Sequence, residues 1–265
     1  MEGLEPVFDF IADNYDSTRS ELDERELEAL MESLKDCTNV LEIGAGTGRI
    51  MKPLQDHGFD ITGVDISRKM LQKAQEKGLK HLVMGDATNL PFLDKSFDAA
   101  ITFHVFHLID DLDLMFNEAS RVSRKYIITF IREREQPKDF PAERRSNLPD
   151  IVMKIAEKYG YRIEPESAAR RRPEDDIVKR FPPDKKLLVK EYARKAKPEH
   201  FIERMRYSSR FTRTFSKIPE EIIEKIFDEA KSEISKMKLE PVEVKIKEYM
   251  AIWFPQEIKQ KQQGF

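Results

Sequence analysis

Cysteine is nearly absent. Cys37 is the only one in 265 residues, which excludes an intrachain disulfide framework and any structural zinc site built on two or more cysteines. No apolar run approaches the length needed to cross a bilayer. The acidic stretch Met1 to Asp16 has no basic segment followed by an apolar one, so no secretory signal is expected. Asparagine and glutamine are scarce, with 5 and 8 residues, while 36% of residues are charged; that balance leans toward a thermophile. What is present is enough apolar material for a core, 40% of the chain, which excludes wholesale disorder. The expectation is a cytoplasmic protein of one large or two small domains.

The net charge of −3 conceals an asymmetry. Residues 124–217 hold 26 Lys and Arg against 15 Asp and Glu, a surplus of +11, and the rest of the chain carries −14. A basic middle on an acidic scaffold suits an anionic partner. It equally suits a solvated, salt-bridged face, because acids interleave with the arginines, as in Arg132-Glu133-Arg134-Glu135.

Periodicity organises the chain. Residues 5–35 read as two amphipathic helices, with Val7, Phe8, Phe10, Ile11 and Tyr15 on one face and Ser20 capping the second. Strands are predicted at Val40–Ile43, Asp60–Asp65, Leu82–Met84, Phe97–Phe103 and Tyr126–Ile131. Helices are predicted over Arg49–Gly58, from the Ser67 cap to Lys77, and over Leu112–Val122. Strands alternating with helices at this spacing indicate a parallel, doubly wound α/β sheet. Beyond Arg132 the pattern loosens. Asp150–Tyr159 reads as helix, 161–184 as a basic, proline-containing loop or lid, Lys185–Ala193 as a strand, Glu220–Met237 as a helix starting after Pro219, and Val242–Phe254 as the last strand.

The strongest motif is Glu42-Ile43-Gly44-Ala45-Gly46-Thr47-Gly48, directly after an apolar strand and before a helix. Glycines belong there because the backbone must turn sharply and approach a ligand closely. A nicotinamide-binding loop has its third glycine one position later, where this chain has Arg49, so a dehydrogenase is disfavoured. Asp65, 21 positions after Gly44, ends the second strand, and its carboxylate can accept two hydrogen bonds from a ribose diol. Gly85-Asp86-Ala87 ends the third and could meet an adenine edge. Three such elements at successive strand ends define a crevice at the carboxyl edge of the sheet.

These residues, together with Gly63-Val64-Asp65-Ile66-Ser67, Leu90-Pro91-Phe92 and Ser96-Phe97-Asp98, resemble the class I S-adenosylmethionine-dependent methyltransferases, in particular the small-molecule branch of the ubiquinone/menaquinone-biosynthesis type. The resemblance covers residues 38–131 and extends more weakly to Phe8-Asp9, Tyr15-Asp16, Ser208–Phe211 and the final strand. One departure is that Arg121–Lys125 leads straight into Tyr126 without the family's glycine-rich turn. The resemblance implies a Rossmann-like seven-stranded sheet of order 3-2-1-4-5-7-6, mostly parallel with an antiparallel last strand, and helical cap and lid insertions. It implies an N-terminal cap (1–36), a cofactor-binding core (37–135), a basic helical lid containing one sheet strand near 185–193 (136–236), and a final strand and tail (237–265).

It also implies roles. Glu42 would order the glycine loop near the methionine amino group. Gly44, Ala45, Gly46 and Gly48 would border the methionine portion of S-adenosylmethionine, Asp65 would bind the ribose, and Ile66 would pack on adenine. Asp86 would accept from the adenine amino group, with an Asx-type turn as its alternative, and Ala87 would offer its N–H. His104 and His107, after strand four, stand where the methyl group would emerge, as a contact or base; His107 could equally be packing. Tyr15 would reach over the donor, with a core tyrosine on an amphipathic helix as its alternative. No metal is expected. The implied reaction is transfer of a methyl group to a small-molecule acceptor, an anionic one being compatible with the basic segment. The alternatives are an RNA methyltransferase gripping phosphates through Arg144-Arg145, Arg170-Arg171-Arg172 and Lys185-Lys186, and a non-catalytic protein that only binds the cofactor. Thr102-Phe103-His104-Val105-Phe106 after strand four lacks the Asn/Asp-Pro-Pro-aromatic motif of nucleic-acid amino-methylases, so that subclass is disfavoured and no DNA partner is expected; the short apolar runs leave no membrane partner expected either. The sequence leaves the acceptor and the oligomeric state open.

Overall fold

A computed structural model describes residues 8–9, 12–16, 22–135, 142–162, 173–198, 202, 205, 218–237 and 239–255. Ser20, Phe10, Ile11, Arg170-Arg171-Arg172 and Ser208–Phe211, invoked above, lie outside them, as do the side chains of Arg144 and Arg145. The chain divides into two compact units: Met1–Arg132, Arg171–Lys190 and Lys247–Phe265 form the first, and Glu133–Arg170 and Glu191–Ile246 the second. Among the described residues no helix is long and apolar enough to cross a membrane.

The first unit is built on a seven-stranded sheet of order β3-β2-β1-β4-β5-β7-β6, mostly parallel with the last strands antiparallel. Its strands are β1 (Asn39–Ile43), β2 (Asp60–Asp65), β3 (Leu82–Met84), β4 (Phe97–Thr102), β5 (Ser123–Glu135), β6 (Lys185–Ala196) and β7 (Val242–Trp253). β1 is central, pairing in parallel with β2 (Val40 with Ile61) and with β4 (Val40 with Ala99). Every residue of β4 is buried, and so are the last four of β1, as a parallel sheet covered on both faces requires. Side chains alternate between the faces. Leu41, Ile43, Ala100 and Ile127 pack in one core with Phe116 and Trp253, while Val40, Ala99, Ile101 and Ile128 pack in the other with Leu30, Leu34, Met51 and Leu54.

The helices of this unit are α1 (Glu24–Ser33), α2 (Met51–Asp56), α3 (Arg68–Glu76), α4 (Leu112–Val122) and, within the stretch read as a loop or lid, α6 (Pro173–Arg180). α1 starts at Asp23, not at Ser20. The Asp23 side chain accepts from the Glu26 N–H and Glu26 reaches back to the Asp23 N–H, a capping box. α3 starts on Ser67, as its sequence predicts. β5 follows α4 with no turn between them. The carbonyls exposed where α4 passes into β5 are met by Lys95, whose ammonium donates to Ser120 O at 3.0 Å and Ser123 O at 2.6 Å. β5 also runs on to Glu135, past the apolar stretch that signalled it.

The second unit contains α5 (Ala142–Lys158), which begins well before Asp150 and takes Pro149 into its interior, and α7 (Glu220–Lys236). Val152, Ile155 and Ala156 of α5 pack against Ile223, Phe227, Ala230 and Ile234 of α7.

A cluster of charges is buried in the first unit. Glu248 on β7 is fully buried and Glu26 on α1 nearly so. Arg132 Nε donates to Glu248 at 2.7 Å, Lys190 Nζ lies 2.8 Å from Glu26, and Lys190 also pairs with Asp23. Glu26 and Glu248 lie close enough in this cluster to shift each other's titration. Burial and the adjacent Glu26 push the Glu248 pKa up, and Arg132 opposes them only in part. A folded-state pKa above the unfolded value means the native state keeps a proton that the unfolded chain has released. Stability from this group is therefore full in acid and falls as pH rises through the window above the usual carboxylate range. Glu248→Gln should flatten that fall by roughly 1–2 kcal/mol, or a few degrees in Tm, between about pH 5 and pH 8. Thermal melts of parent and variant across that range check it, and parallel Tm–pH curves would remove Glu248 as the source.

Candidate functional site

Two loops at the carboxyl edge of the sheet form one site because a single carboxylate ties them. Asp65 ends β2. Its Oδ2 accepts from Gly46 N–H at 2.8 Å, and its Oδ1 from Ser67 N–H at 2.9 Å. The first bond reaches back into the glycine loop after β1, and the second fixes the turn into α3. Burial pushes the Asp65 pKa up, these backbone donors oppose it, and the charge of Asp9 adds to the rise.

The three loop glycines have different reasons to be glycine. Gly48 has φ +76°, and a Cβ there would meet Leu79 Cδ1 at 2.0 Å. Gly44 has φ +75°, and its Cβ would meet Val105 at 2.3 Å. Those two are close-packing positions. Gly46 has φ +54° and nothing within 4 Å of where its Cβ would stand, so its backbone faces open space.

That space is a cleft open to solvent. Its walls bring together Tyr15, Gly44, Gly46, Asp65, Ile66, Ala87 and His104 from the predicted site. Glu42, Ala45, Gly48 and Asp86 are not among them. Glu42 lies on β1 behind the loop and is 2% exposed, and its Oε2 has no hydrogen-bond partner among the described residues. Burial raises its pKa well above the usual carboxylate range, against the pull of the nearby Arg49 charge. Asp86 makes the Asx turn given above as its alternative: Oδ1 accepts from both the N–H and the hydroxyl of Thr88, each at 2.7 Å. His104 is solvent-exposed with φ +59°, a conformation uncommon for a non-glycine residue and frequent at functional sites. His107 falls in the short 3-10 turn Phe106–Leu108, and its side chain lies outside the described residues.

Sequence reasoning missed most of the apolar wall. Phe103, Val105, Leu108 and Ile109, which follow β4, line the cleft. Their apolar run looks like core, and only their place after a strand carboxyl end marks them. It also missed Thr47, which is 1% exposed and donates to Asp16 at 2.5 Å.

Part of the chain is similar to known proteins. Residues 41–128 match the family described as "Methyltransferase domain". Over 93 residues the chain is 38% identical to phosphatidylethanolamine N-methyltransferase of Cereibacter sphaeroides, covering 32% of this chain and 45% of that protein. Over 132 residues it is 36% identical to demethylmenaquinone methyltransferase of Thermotoga maritima, covering 45% and 56%. The chain thus spans about half the length of these curated relatives. Its fold is similar to that of Haemonchus contortus phospholethanolamine N-methyltransferase 2, solved with phosphomonomethylethanolamine and S-adenosylhomocysteine, at TM-score 0.50 and 15% identity, covering 96% of this chain and 60% of that one.

The contrast between the glycines gives a prediction. Gly48→Ala combines a positive φ with a clash and should cost well over the roughly 1–2 kcal/mol of the backbone term alone, whereas Gly46→Ala should cost about that term. Urea titration of both variants decides. Equal losses would mean that the loop relaxes around Leu79.

Proposed function

We propose that this chain, whose residues 41–128 match a methyltransferase-domain family, transfers a methyl group from S-adenosylmethionine to a small-molecule acceptor by in-line displacement. The observation that carries the reading is Asp65. Each of its oxygens already accepts one backbone N–H, and each retains a lone pair. The result is two fixed acceptors side by side on a cleft wall, suited to a ribose diol. Gly46, with no atom near its missing Cβ, lets a ligand lie against the backbone.

The other residues fit the same group. The unpartnered Oε2 of Glu42 suits the ammonium of an amino-acid moiety, directly or through water. Ile66 offers an apolar surface for the adenine ring and Ala87 its N–H. Asp86 keeps its second oxygen for the adenine amino group.

When bound, the cofactor supplies an electrophilic methyl group on a sulfonium. The chain's part in such a transfer is chiefly positioning. His104, exposed on the cleft wall beside the glycine loop, orients the acceptor and takes its proton at a ring nitrogen where the nucleophile must lose one. Tyr15, with Phe8, covers the cleft and limits water. The named substrates of the relatives, a phospholipid and a quinone precursor, support a small-molecule acceptor over a nucleic acid.

A hydrogen bond to a charged group contributes about 1.5–3 kcal/mol. Asp65→Ala should therefore weaken S-adenosylhomocysteine binding by roughly 10- to 100-fold, measured by calorimetry with the circular dichroism spectrum unchanged. Unaltered affinity would remove Asp65 from the site, and a parent that prefers NAD would overturn the donor assignment.

A further inference from the structure

Two aromatic–aspartate pairs, Phe8-Asp9 and Tyr15-Asp16, recur seven residues apart. In each, the aromatic residue lines the cleft, while the aspartate holds one of the two loops that Asp65 ties together. Asp9 Oδ1 accepts from Ser67 Oγ at 2.6 Å and from Lys69 N–H at 3.1 Å. Ser67 is the residue whose own N–H donates to Asp65. Asp16 Oδ1 accepts from the buried Thr47 hydroxyl, inside the glycine loop, and its Oδ2 lies 2.6 Å from Lys77 Nζ. Between them Asp13 pairs with Lys73 at 3.0 Å. Positions 69, 73 and 77 follow one another at four-residue steps along α3 and its C-cap, so they form one stripe on that helix.

We propose that Asp9, Asp13 and Asp16 are positioning residues for the donor site, clipping the N-terminal segment to α3 and to the glycine loop so that Phe8 and Tyr15 stand against the cleft. The inference rests on the reading of the cleft as an S-adenosylmethionine site, and adds that affinity there depends on three carboxylates that line no part of it. A single exposed ion pair contributes little. Here three carboxylates make five contacts from one short segment, and two of these are to hydroxyls, Ser67 and Thr47, that belong to the ligand loops themselves. Ser67 donates its N–H to Asp65 and its hydroxyl to Asp9, so docking of the segment and occupation of the ribose site are coupled. Whatever binds only the docked state stabilises it.

The full-length chain is tested by calorimetry with S-adenosylhomocysteine and by amide exchange. That ligand carries no net charge at neutral pH, so a salt dependence of its affinity reports the clip. The parent should bind roughly 3- to 10-fold more weakly when KCl is raised from about 50 mM to about 1 M. The double variant Lys73→Glu/Lys77→Glu turns two attractions into repulsions. It should lose roughly tenfold in affinity at low salt and exchange the Lys69 amide faster, since that N–H loses its Asp9 acceptor. Lys73→Glu alone should lose about threefold, and adding Asp13→Lys should restore most of that loss. A merely packed segment would show neither the rescue nor the salt dependence. If the parent binds and Asp65→Ala does not, yet the double variant binds like the parent with Lys69 exchange unchanged, the positioning role is wrong and the donor site stands. If the parent itself does not bind, the donor-site reading fails and takes this inference with it.

Discussion

A half-buried carboxylate bonded to two different loops sets the geometry at the carboxyl edge of the sheet. Taking Asp65 even partly out of water is costly, since an ionised carboxylate needs hydrogen-bond donors to offset its desolvation. The chain supplies Gly46 N–H from one loop and Ser67 N–H from the other. The glycine loop cannot move away from β2 without leaving that charge unsatisfied, nor can the start of α3. Gly44 and Ala45 reinforce the tie by donating to Val64 O at 2.8 and 3.0 Å. The crevice is therefore preorganised before any ligand enters, and its ligand-facing atoms are the lone pairs that these bonds leave over.

Charges at the opposite, amino end of the same strands show the same logic with more partners. Asp98 on β4 accepts from Thr38 N–H at 2.7 Å and from Arg124 Nε at 3.0 Å. Burial works against its charge, but these donors outweigh it and hold its pKa down to about 2. Asn39 joins them, accepting from the Asp98 N–H and donating to Ser96 O. Polar side chains thus pin the register of β1 against β4 where the strands start, and backbone donors pin the loops where they end. The apolar middle needs no such instruction, because a slip of one residue would turn each strand's core face outward.

The parts of this fold that were legible in the sequence are those written in local chemistry. Ser67 and Gly78 bracket α3 because a hydroxyl caps one end and a residue free to take φ +83° closes the other. The strand order came from family resemblance and not from periodicity. What was illegible lacks a local signature. β5 continues through Arg132-Glu133-Arg134-Glu135, a stretch with no apolar alternation to mark a strand. The helix read over Asp150–Tyr159 begins earlier, at Ala142, and passes through Pro149. Asp86 could have been a ligand group or a turn former from sequence alone, and only the bonds to Thr88 show that one of its oxygens is already engaged.

The N-terminal segment marks the boundary of that legibility most clearly. Its amphipathic pattern announces Phe8 and Tyr15 as residues that seek an apolar surface, and both line the cleft. The aspartates beside them read as solvated charge, because their partners lie far along the chain: Asp9 and Ser67 are 58 residues apart, and Asp16 and Thr47 are 31 apart. Periodicity describes a face but says nothing about which distant group it meets. A charged residue next to a cleft aromatic, repeated at two helical turns, is the one local hint that the charge has a fixed destination. The docked segment supplies that destination, since Asp9 ends on the Ser67 hydroxyl and Asp16 on the Thr47 hydroxyl.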